Sequence, residues 1–451
     1  MRVAIIGTGY VGLTTGAALA FLGHEVLGVD RDPNKLAMMR AGKSPIHERG
    51  LEDLMRSCRS LSFTDDTASA VTQADVIIIA VGTPSTPSGA ADVSFVEEAA
   101  RAVASGLQDG REYTIVVKST VPVGTNRRVA NVIRKGLEQR GVHPTVRFAS
   151  NPEFLREGKA LVETLYPDRI VVGSDSQDAL DTMRKLYARI LDQSFTPPAV
   201  LPRPVDYRLP TFLNTDATSA EMIKYASNAF LALKISYINE IAGLCERVGA
   251  DVRHVARGMG LDQRINPLFL AAGLGWGGSC FPKDTLAILS LASEYGYKMP
   301  IVAASREVNQ NQRTAVVEKL QAALKVLRGQ VIGILGLAFK PGTDDVRDAP
   351  ALEIIDTLSE RGAHLRLHDP IALANARELL AGKELDFFED PYALAEGADA
   401  LVVATEWDDY RDLDLQRLAS IMKTPVLIDA RNLFEREEAE RAGLRYAGVG
   451  R

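Results

Sequence analysis

Three residues whose side chains could do chemistry follow a glycine-rich turn in GLGWGGSCFPKDT: Cys280, Lys283 and Asp284. Glycines let a backbone turn sharply or come close to a ligand, so a cysteine directly behind them has two readings. It is either a packing thiol, the common fate of free cysteines, or a nucleophile held where a substrate arrives. A cation beside a thiol lowers its pKa from about 8.5, and a neighbouring carboxylate supplies acid or base function. Cys58 and Cys245 sit in helix-like surroundings without such neighbours and read as packing residues. Three widely spaced cysteines fit neither a disulfide framework nor a metal cluster, so no metal site is expected.

A second constellation is GTGYVG, which places Gly7, Gly9 and Gly12 after an apolar run and before a helical pattern. The next apolar run ends in Asp30. The glycines serve a tight turn, close approach of backbone to a pyrophosphate, and close helix–strand packing. The helix N-terminus offers free N–H groups to the phosphates. A carboxylate at position 30 accepts from the ribose hydroxyls and repels a 2′-phosphate, which favours NAD over NADP; Arg31 beside it points weakly the other way. A hydride acceptor together with a thiol defines one reaction type. Sulfur adds to an aldehyde, the thiohemiacetal loses hydride and becomes a thioester, and water releases an acid.

The elements that must position these groups are legible as alternating patterns. At 451 residues the chain is long enough for two or three domains. RVAIIG, EVLGVD, DVIIIAV, TIVVKS, VRFASN and RIVVGS read as strands buried on both faces of a parallel sheet. Alternation with helices implies a doubly wound α/β domain over roughly the first two hundred residues. The proline-rich piece from Pro197 to Pro210 reads as a domain edge. A long helix follows in TDATSAEMIKYASNAFLALKISYINEIAGLCERVG, with Thr218 and Glu221 as a capping box and Gly249 as its stop. It is apolar round much of its circumference, which places it between layers or at a subunit contact. From Gln330 a second α/β pattern begins, with Asp369 in the place that Asp30 holds in the first, suggesting two nucleotide-sized pockets. The divisions expected are 1–205, 206–312 and 313–451.

Acidic and basic residues are interspersed for a net charge of −6 and form no basic stripe, so nucleic acid is not an expected partner. No apolar run is long enough to span a bilayer. MRVAIIGTGYVG lacks a signal-peptide cleavage pattern, and a cytoplasmic, reduced protein with no membrane partner is expected.

GTGYVG, KSTVPVGT, NPEFLREG, SAEMIKYASNAFLALKISYINEIA, GWGGSCFPKD and GLAFKPGTDDVRDAP occur in this order over nearly the whole chain. In these motifs the sequence resembles the UDP-glucose 6-dehydrogenase family, within the wider group of nucleotide-sugar dehydrogenases. The resemblance implies an N-terminal Rossmann-like NAD domain, a central long-helix dimerisation region and a C-terminal Rossmann-like nucleotide-sugar domain. It implies two successive NAD-dependent oxidations of UDP-glucose at C6, through an aldehyde, to UDP-glucuronate. It also implies a homodimer or higher homo-oligomer.

Carried over position by position, the resemblance makes Cys280 the sulfur nucleophile. Lys224 and Asn228, four residues apart on one helix face, become substrate and oxyanion contacts. Asp284 matches the acid/base residue, acting with a water, and Glu153 the carboxylate that activates water against the thioester. Thr120 and Glu157 fall near the nicotinamide end. Tyr10 and Val11 within the glycine motif, with Lys35, Thr83, Lys283 and Arg347, match cofactor contacts. Substrate contacts match Glu153, Phe154, Leu155, Arg156 and Glu157, then Phe269, Leu270, Ala271, Ala272 and Gly273. Gly277, Lys340 and Arg431 complete them, and Arg264 matches an arginine that reaches across from a neighbouring subunit.

The chain departs from the family at Trp276, where Phe or Tyr is frequent, and at Asn266, where glycine is frequent. Three alternatives remain open from sequence. One is a sibling acting on GDP-mannose or a UDP-N-acetylhexosamine, against which Phe281 leans. Another is a non-catalytic nucleotide-sugar binder, which would not need the thiol. The third is a β-hydroxyacid-type dehydrogenase, which would stop after one hydride.

Overall fold

Val76–Ile79 is a run of four apolar residues wholly removed from solvent, as in a strand covered on both faces of a sheet. The computed structural model, which describes residues 1–451, builds that run into the first of two sheets. The chain divides into two compact units, Met1–Ser227 and Asn228–Arg451.

In the first unit the strands are β1 (Arg2–Ile6), β2 (Glu25–Val29), β3 (Leu61–Thr64), β4 (Val76–Ile79), β5 (Glu112–Val117), β6 (Thr145–Ser150), β7 (Arg169–Gly173) and β8 (Thr211–Thr215). Their order is β3-β2-β1-β4-β5-β6-β7-β8. The first six pair in parallel in the doubly wound order, with its switch point between β1 and β4. Alternate residues feed two cores: Val3 and Ile5 pack on one face, Ala4 and Ile6 on the other. The sheet is not parallel throughout, because β7 meets β6 antiparallel at Ser150 and Gly173.

The proline-rich piece runs directly into β8. After it, β8 pairs in parallel with β7 and extends the same sheet, so residues up to Ser227 belong to the first unit. Proline prevents ladder hydrogen bonds inside the piece itself but does not stop the chain from returning. Strands β3 and β8 escape the sequence pattern because each is an edge strand with mixed, half-exposed side chains.

Helix α1 (Tyr10–Phe21) opens directly from the glycine turn. Gly7 has φ of +96°, and a Cβ on Gly12 would stand 1.9 Å from the Gly7 carbonyl oxygen. These two positions therefore require glycine. Helix α2 (Thr125–Arg140) follows β5, and α3 (Ala217–Val248) is the long helix expected from sequence. Its N-terminal cap differs from expectation. Asp216 accepts from the Ser219 N–H at 2.8 Å and from its hydroxyl at 2.6 Å, whereas Glu221 accepts from the N–H groups of Gly124 and Asn126 at 2.6 and 2.7 Å. Glu221 thus caps α2, a pairing across 95 residues that a local motif cannot reveal. Gly249, with φ of +76°, follows the helix as expected.

The second unit carries α4 (Phe281–Glu294), α5 (Pro300–Leu324) and α6 (Pro350–Glu360). Its strands are β9 (Val331–Leu335), β10 (His364–His368), β11 (Asp386–Phe387), β12 (Ala400–Val403), β13 (Val426–Asp429) and β14 (Arg445–Gly448). They pair in parallel in the order β11-β10-β9-β12-β13-β14, the same plan as the first six strands. Asp369 does not behave like Asp30. Its Oδ2 accepts from Leu337 N–H, Ala338 N–H and the Trp407 indole, and its Oδ1 from Ile371 and Ala372 N–H groups. Five donors saturate a carboxylate that is 3% exposed, so it staples its own turn and offers nothing to a ribose. No helix is long and apolar enough to cross a membrane.

Candidate active site

In the first unit the glycine turn ends in Gly9, which precedes α1 with no side chain capping the helix. A Cβ added at Gly9 would meet nothing, so the open N–H groups face free space that suits a pyrophosphate. Beside it, Asp30 accepts from the Thr8 hydroxyl at 2.6 Å, the Thr8 N–H at 3.2 Å and the Asp32 N–H at 3.0 Å. Burial raises the Asp30 carboxyl, but these bonds and Lys35 hold it below the usual carboxylate value. A fixed negative charge at the end of β2 is what an adenine ribose needs and a 2′-phosphate does not. Tyr10 turns its hydroxyl away from the glycine turn, to Glu48 at 2.6 Å, and accepts from the Gly158 N–H at 2.8 Å. It thereby ties α1 to the loop bearing Glu157; Val11 packs beside the core. Thr83 donates to the Thr120 carbonyl at 2.7 Å, which joins the ends of β4 and β5.

The carboxyl ends of these parallel strands hold a buried cluster of charges. Lys224 donates to Glu153 Oε1 at 2.9 Å, and the Leu155 N–H donates to Oε2 at 2.6 Å. Both side chains are under 8% exposed. Burial pushes the Glu153 carboxyl up, but Lys224, the Leu155 N–H and Lys118 together hold it below the usual value. The Phe154 ring lies under Arg169 at 3.9 Å and near Lys224 at 5.6 Å, while exposed Arg156 pairs with Glu163. A cavity of about 10 Å³, room for one water, is lined by Thr120, Ser150, Glu221 and Lys224 among others. Ser150 Oγ has no protein partner.

The second unit holds the thiol. Cys280 is exposed and is the residue from which α4 springs. Its thiol thus stands near the positive end of the helix dipole. Asp284, one turn on, donates its N–H to the Cys280 carbonyl at 2.8 Å. Asn228 donates to Asp284 Oδ2 at 2.7 Å, and Lys283 to Oδ1 at 2.5 Å. The expected cation beside the thiol is therefore engaged with its neighbouring carboxylate.

The glycine turn before Cys280 is pinned from behind. Asn309 on α5 accepts from the Trp276 N–H at 2.7 Å and donates to its carbonyl at 2.9 Å. Ser236 accepts from the Trp276 indole at 2.9 Å, and Asn239 from the Gly273 N–H at 2.8 Å. A Cβ on Gly277 would stand 2.2 Å from the Asp348 carbonyl oxygen. Arg431 reaches the same turn, donating to the Gly275 carbonyl at 3.3 Å, and pairs with Glu406. Of the stretch Phe269–Gly273, Leu270, Ala272 and Gly273 are buried and Ala271 is exposed. Trp276 packs edge-on against Phe281 at 6.3 Å, and Phe269 lies 6.4 Å from it, forming an aromatic wall. Asn266 takes φ of +66°, a conformation that asparagine tolerates better than most residues.

Some expected contacts are not gathered in. Arg264 is exposed and pairs with Asp262, and Arg347 is exposed and pairs with Asp345, each two residues away. Lys340 lies over the Phe339 ring at 5.0 Å. Sequence reasoning missed Lys118, Asn151, Glu48 and Asn309. Lys118 carried a signal, since a lysine ending the apolar run of β5 must be buried or bent away. The others are ordinary polar residues whose partners lie far along the chain.

Three family models cover most of the sequence. Residues 1–191 match the NAD binding domain, 218–311 the central domain and 333–436 the UDP binding domain of one family. The chain belongs to the UDP-glucose/GDP-mannose dehydrogenase family. Its cofactor is NAD, in keeping with the glycine turn and Asp30. A UDP-glucose 6-dehydrogenase of Rhizobium meliloti is 46% identical over 461 residues, covering all of both chains. Among solved structures, a UDP-glucose dehydrogenase from Pyrobaculum islandicum matches with a TM-score of 0.88 and 40% identity, over 99% of this chain and 97% of that one. A UDP-D-ManNAc dehydrogenase from Pyrococcus horikoshii matches with a TM-score of 0.85 but 26% identity, over 100% and 99%.

Proposed function

We propose that this protein oxidises UDP-glucose at C6 to UDP-glucuronate in two hydride transfers, with Cys280 as the covalent nucleophile. The observation that carries the reading is an exposed thiol at a helix N-terminus, one turn from a buried carboxylate whose two oxygens are both held. A binder has no use for that arrangement. The greater likeness to UDP-glucose dehydrogenases than to a ManNAc enzyme supports glucose as the sugar.

Bound NAD supplies the hydride acceptor for both oxidations. Asp284 takes the C6 hydroxyl proton through a water, and Lys224 stabilises the alkoxide before hydride leaves, since a buried ammonium acts strongly on developing charge. The Cys280 thiolate adds to the aldehyde carbon, and Asn228 donates to the resulting oxyanion. Departure of the second hydride from this thiohemiacetal leaves a thioester on Cys280. Glu153 takes a proton from water as it attacks the thioester carbonyl, and the sulfur leaves as thiolate while Asp284 moves a proton through water. The sum consumes one alcohol, two NAD and one water and yields one carboxylate, two NADH and three protons. Gly273 and Gly277 let the backbone approach the sugar, and Lys340 and Arg431 offer cations to the diphosphate. Thr120 and Glu157 serve the nicotinamide end, and Lys283 and Arg347 the cofactor.

The protein works as a homodimer or a larger homo-oligomer. Phe230, Tyr237 and Leu244, seven residues apart along α3, are 61%, 47% and 56% exposed, an apolar stripe that a second copy would cover. Arg264 would reach from that copy. A nucleophilic free thiol suits a reducing compartment such as the cytoplasm.

The test is NADH yield with UDP-glucose and excess NAD. Two NADH per sugar are expected. One NADH with released aldehyde would mean a single-step enzyme, and none with tight binding would mean a sensor. Two NADH from GDP-mannose or a UDP-N-acetylhexosamine, but none from UDP-glucose, would reassign the sugar.

A further inference from the structure

Lys118 is the buried lysine that the scheme above leaves unused. It stands at the carboxyl end of β5, its Nζ donates to Asn151 Oδ1 at 3.2 Å, and it lies 6.0 Å from the centre of the Tyr187 ring. Asn151 is held on every side. Its Oδ1 also accepts from the Tyr187 hydroxyl at 2.7 Å, its Nδ2 donates to the Val171 carbonyl at 2.8 Å, and its N–H donates to the Val117 carbonyl at 2.9 Å. Only Pro152 separates Asn151 from Glu153. The Lys118 clamp therefore fixes the turn that aims Glu153.

We propose that Lys118 is a positioning residue for Glu153, locking its turn through Asn151 and acting as its second counter-charge. The chemistry requires such a partner. Glu153 is paired with Lys224, yet Lys224 must turn its charge to the substrate oxygen in the first oxidation. A carboxylate buried without another cation would take up a proton at that moment and could not then receive one from water. With Lys118 in place, Glu153 stays charged while Lys224 serves the sugar.

The ionisable groups facing Lys118 are Glu153 on the loop after β6, Lys224 on α3, and the Tyr187 phenol beyond the helix Gln177–Leu186. Burial pulls the Lys118 ammonium down to about 8; Glu153 opposes that change and Lys224 adds to it. Burial also pushes the Tyr187 phenol up, so it stays neutral.

The proposal rests on Glu153 being the base for thioester hydrolysis, and the experiment separates the two claims. Acid release is followed in single turnovers from the C6 aldehyde of UDP-glucose with NAD, across pH, for the parent, Lys118→Met, Lys118→Arg and Glu153→Gln. Lys118→Met should move the acid limb of the hydrolysis rate up by about one pH unit or more, with the UDP-glucose KM changed less than about twofold. Lys118→Arg, charged at every accessible pH, should keep the acid limb and lose the inflection expected near the Lys118 pKa. An acid limb that stays put in Lys118→Met overturns the proposal. Should that variant not fold, an inflection that persists in Lys118→Arg overturns it equally. If Glu153→Gln leaves the hydrolysis rate and its pH dependence unchanged, the reading of Glu153 itself fails. If Glu153→Gln removes the limb while Lys118→Met leaves it in place, only the role of Lys118 fails.

Discussion

Asn228 and Asp284 are joined by a 2.7 Å hydrogen bond between α3 and the first turn of α4. It fixes a carboxylate one turn beyond the Cys280 thiol, while Lys283 holds the other oxygen at 2.5 Å. With 1% of the residue exposed, Asp284 is sealed from bulk water.

Replacing Asp284 with Asn tests that pair. The amide leaves the Lys283 ammonium without its counter-charge and turns a good acceptor into a poor one. Chemical denaturation should show a loss of about 1–3 kcal/mol. Steady-state assays should show kcat reduced about a hundredfold or more, with KM for UDP-glucose changed far less.

Glu153 carries a pH dependence whose sign follows from its lowered carboxyl pKa. A group held below its unfolded value contributes stability above about pH 4.3, and that contribution is lost as pH falls through the folded value. Glu153→Gln should cost about 3 kcal/mol at neutral pH, as expected for breaking a buried ion pair. The deficit should shrink steadily in acid below pH 4. A deficit independent of pH would mean that the carboxylate charge contributes nothing.

Replacing Asp30 tests whether its carboxylate sets the choice of dinucleotide. Asp30→Ala removes a charged acceptor worth about 1.5–3 kcal/mol, so KM for NAD should rise about tenfold or more. Activity with NADP should rise relative to NAD. Equal loss with both cofactors would assign Asp30 to the Thr8 turn alone.

The stripe on α3 predicts its own partner. Tyr237→Glu places a charge in the middle of Phe230, Tyr237 and Leu244, and should convert the proposed homo-oligomer into smaller species in sedimentation velocity. An unchanged sedimentation coefficient would place the subunit contact elsewhere.

How much of this was legible in the sequence depends on the range of each interaction. The glycine turn, Asp30 and the thiol with Lys283 and Asp284 are local signals, and the buried strands β1, β2, β4 and β5 declare themselves by unbroken apolar runs. Edge strands β3, β8, β11 and β14 do not, because half-exposed residues need no apolar pattern. Glu221 was read as a cap for its own helix and instead caps α2, since a carboxylate serves whichever N–H groups the fold brings to it. Asp369 matched Asp30 by position, but three of its five donors, Leu337, Ala338 and Trp407, come from loops that no spacing encodes. Asn309, 33 residues from the tryptophan backbone it clamps, left no trace in the motif it supports.

The most direct test of the covalent scheme is the mass of the Cys280→Ser protein after incubation with UDP-glucose and NAD. An alkoxide leaves less readily than a thiolate, so a trapped ester is expected on the peptide containing position 280, with its mass increased by the UDP-glucuronyl group. Undiminished turnover with no adduct, or an adduct on another peptide, would contradict the assignment of the nucleophile.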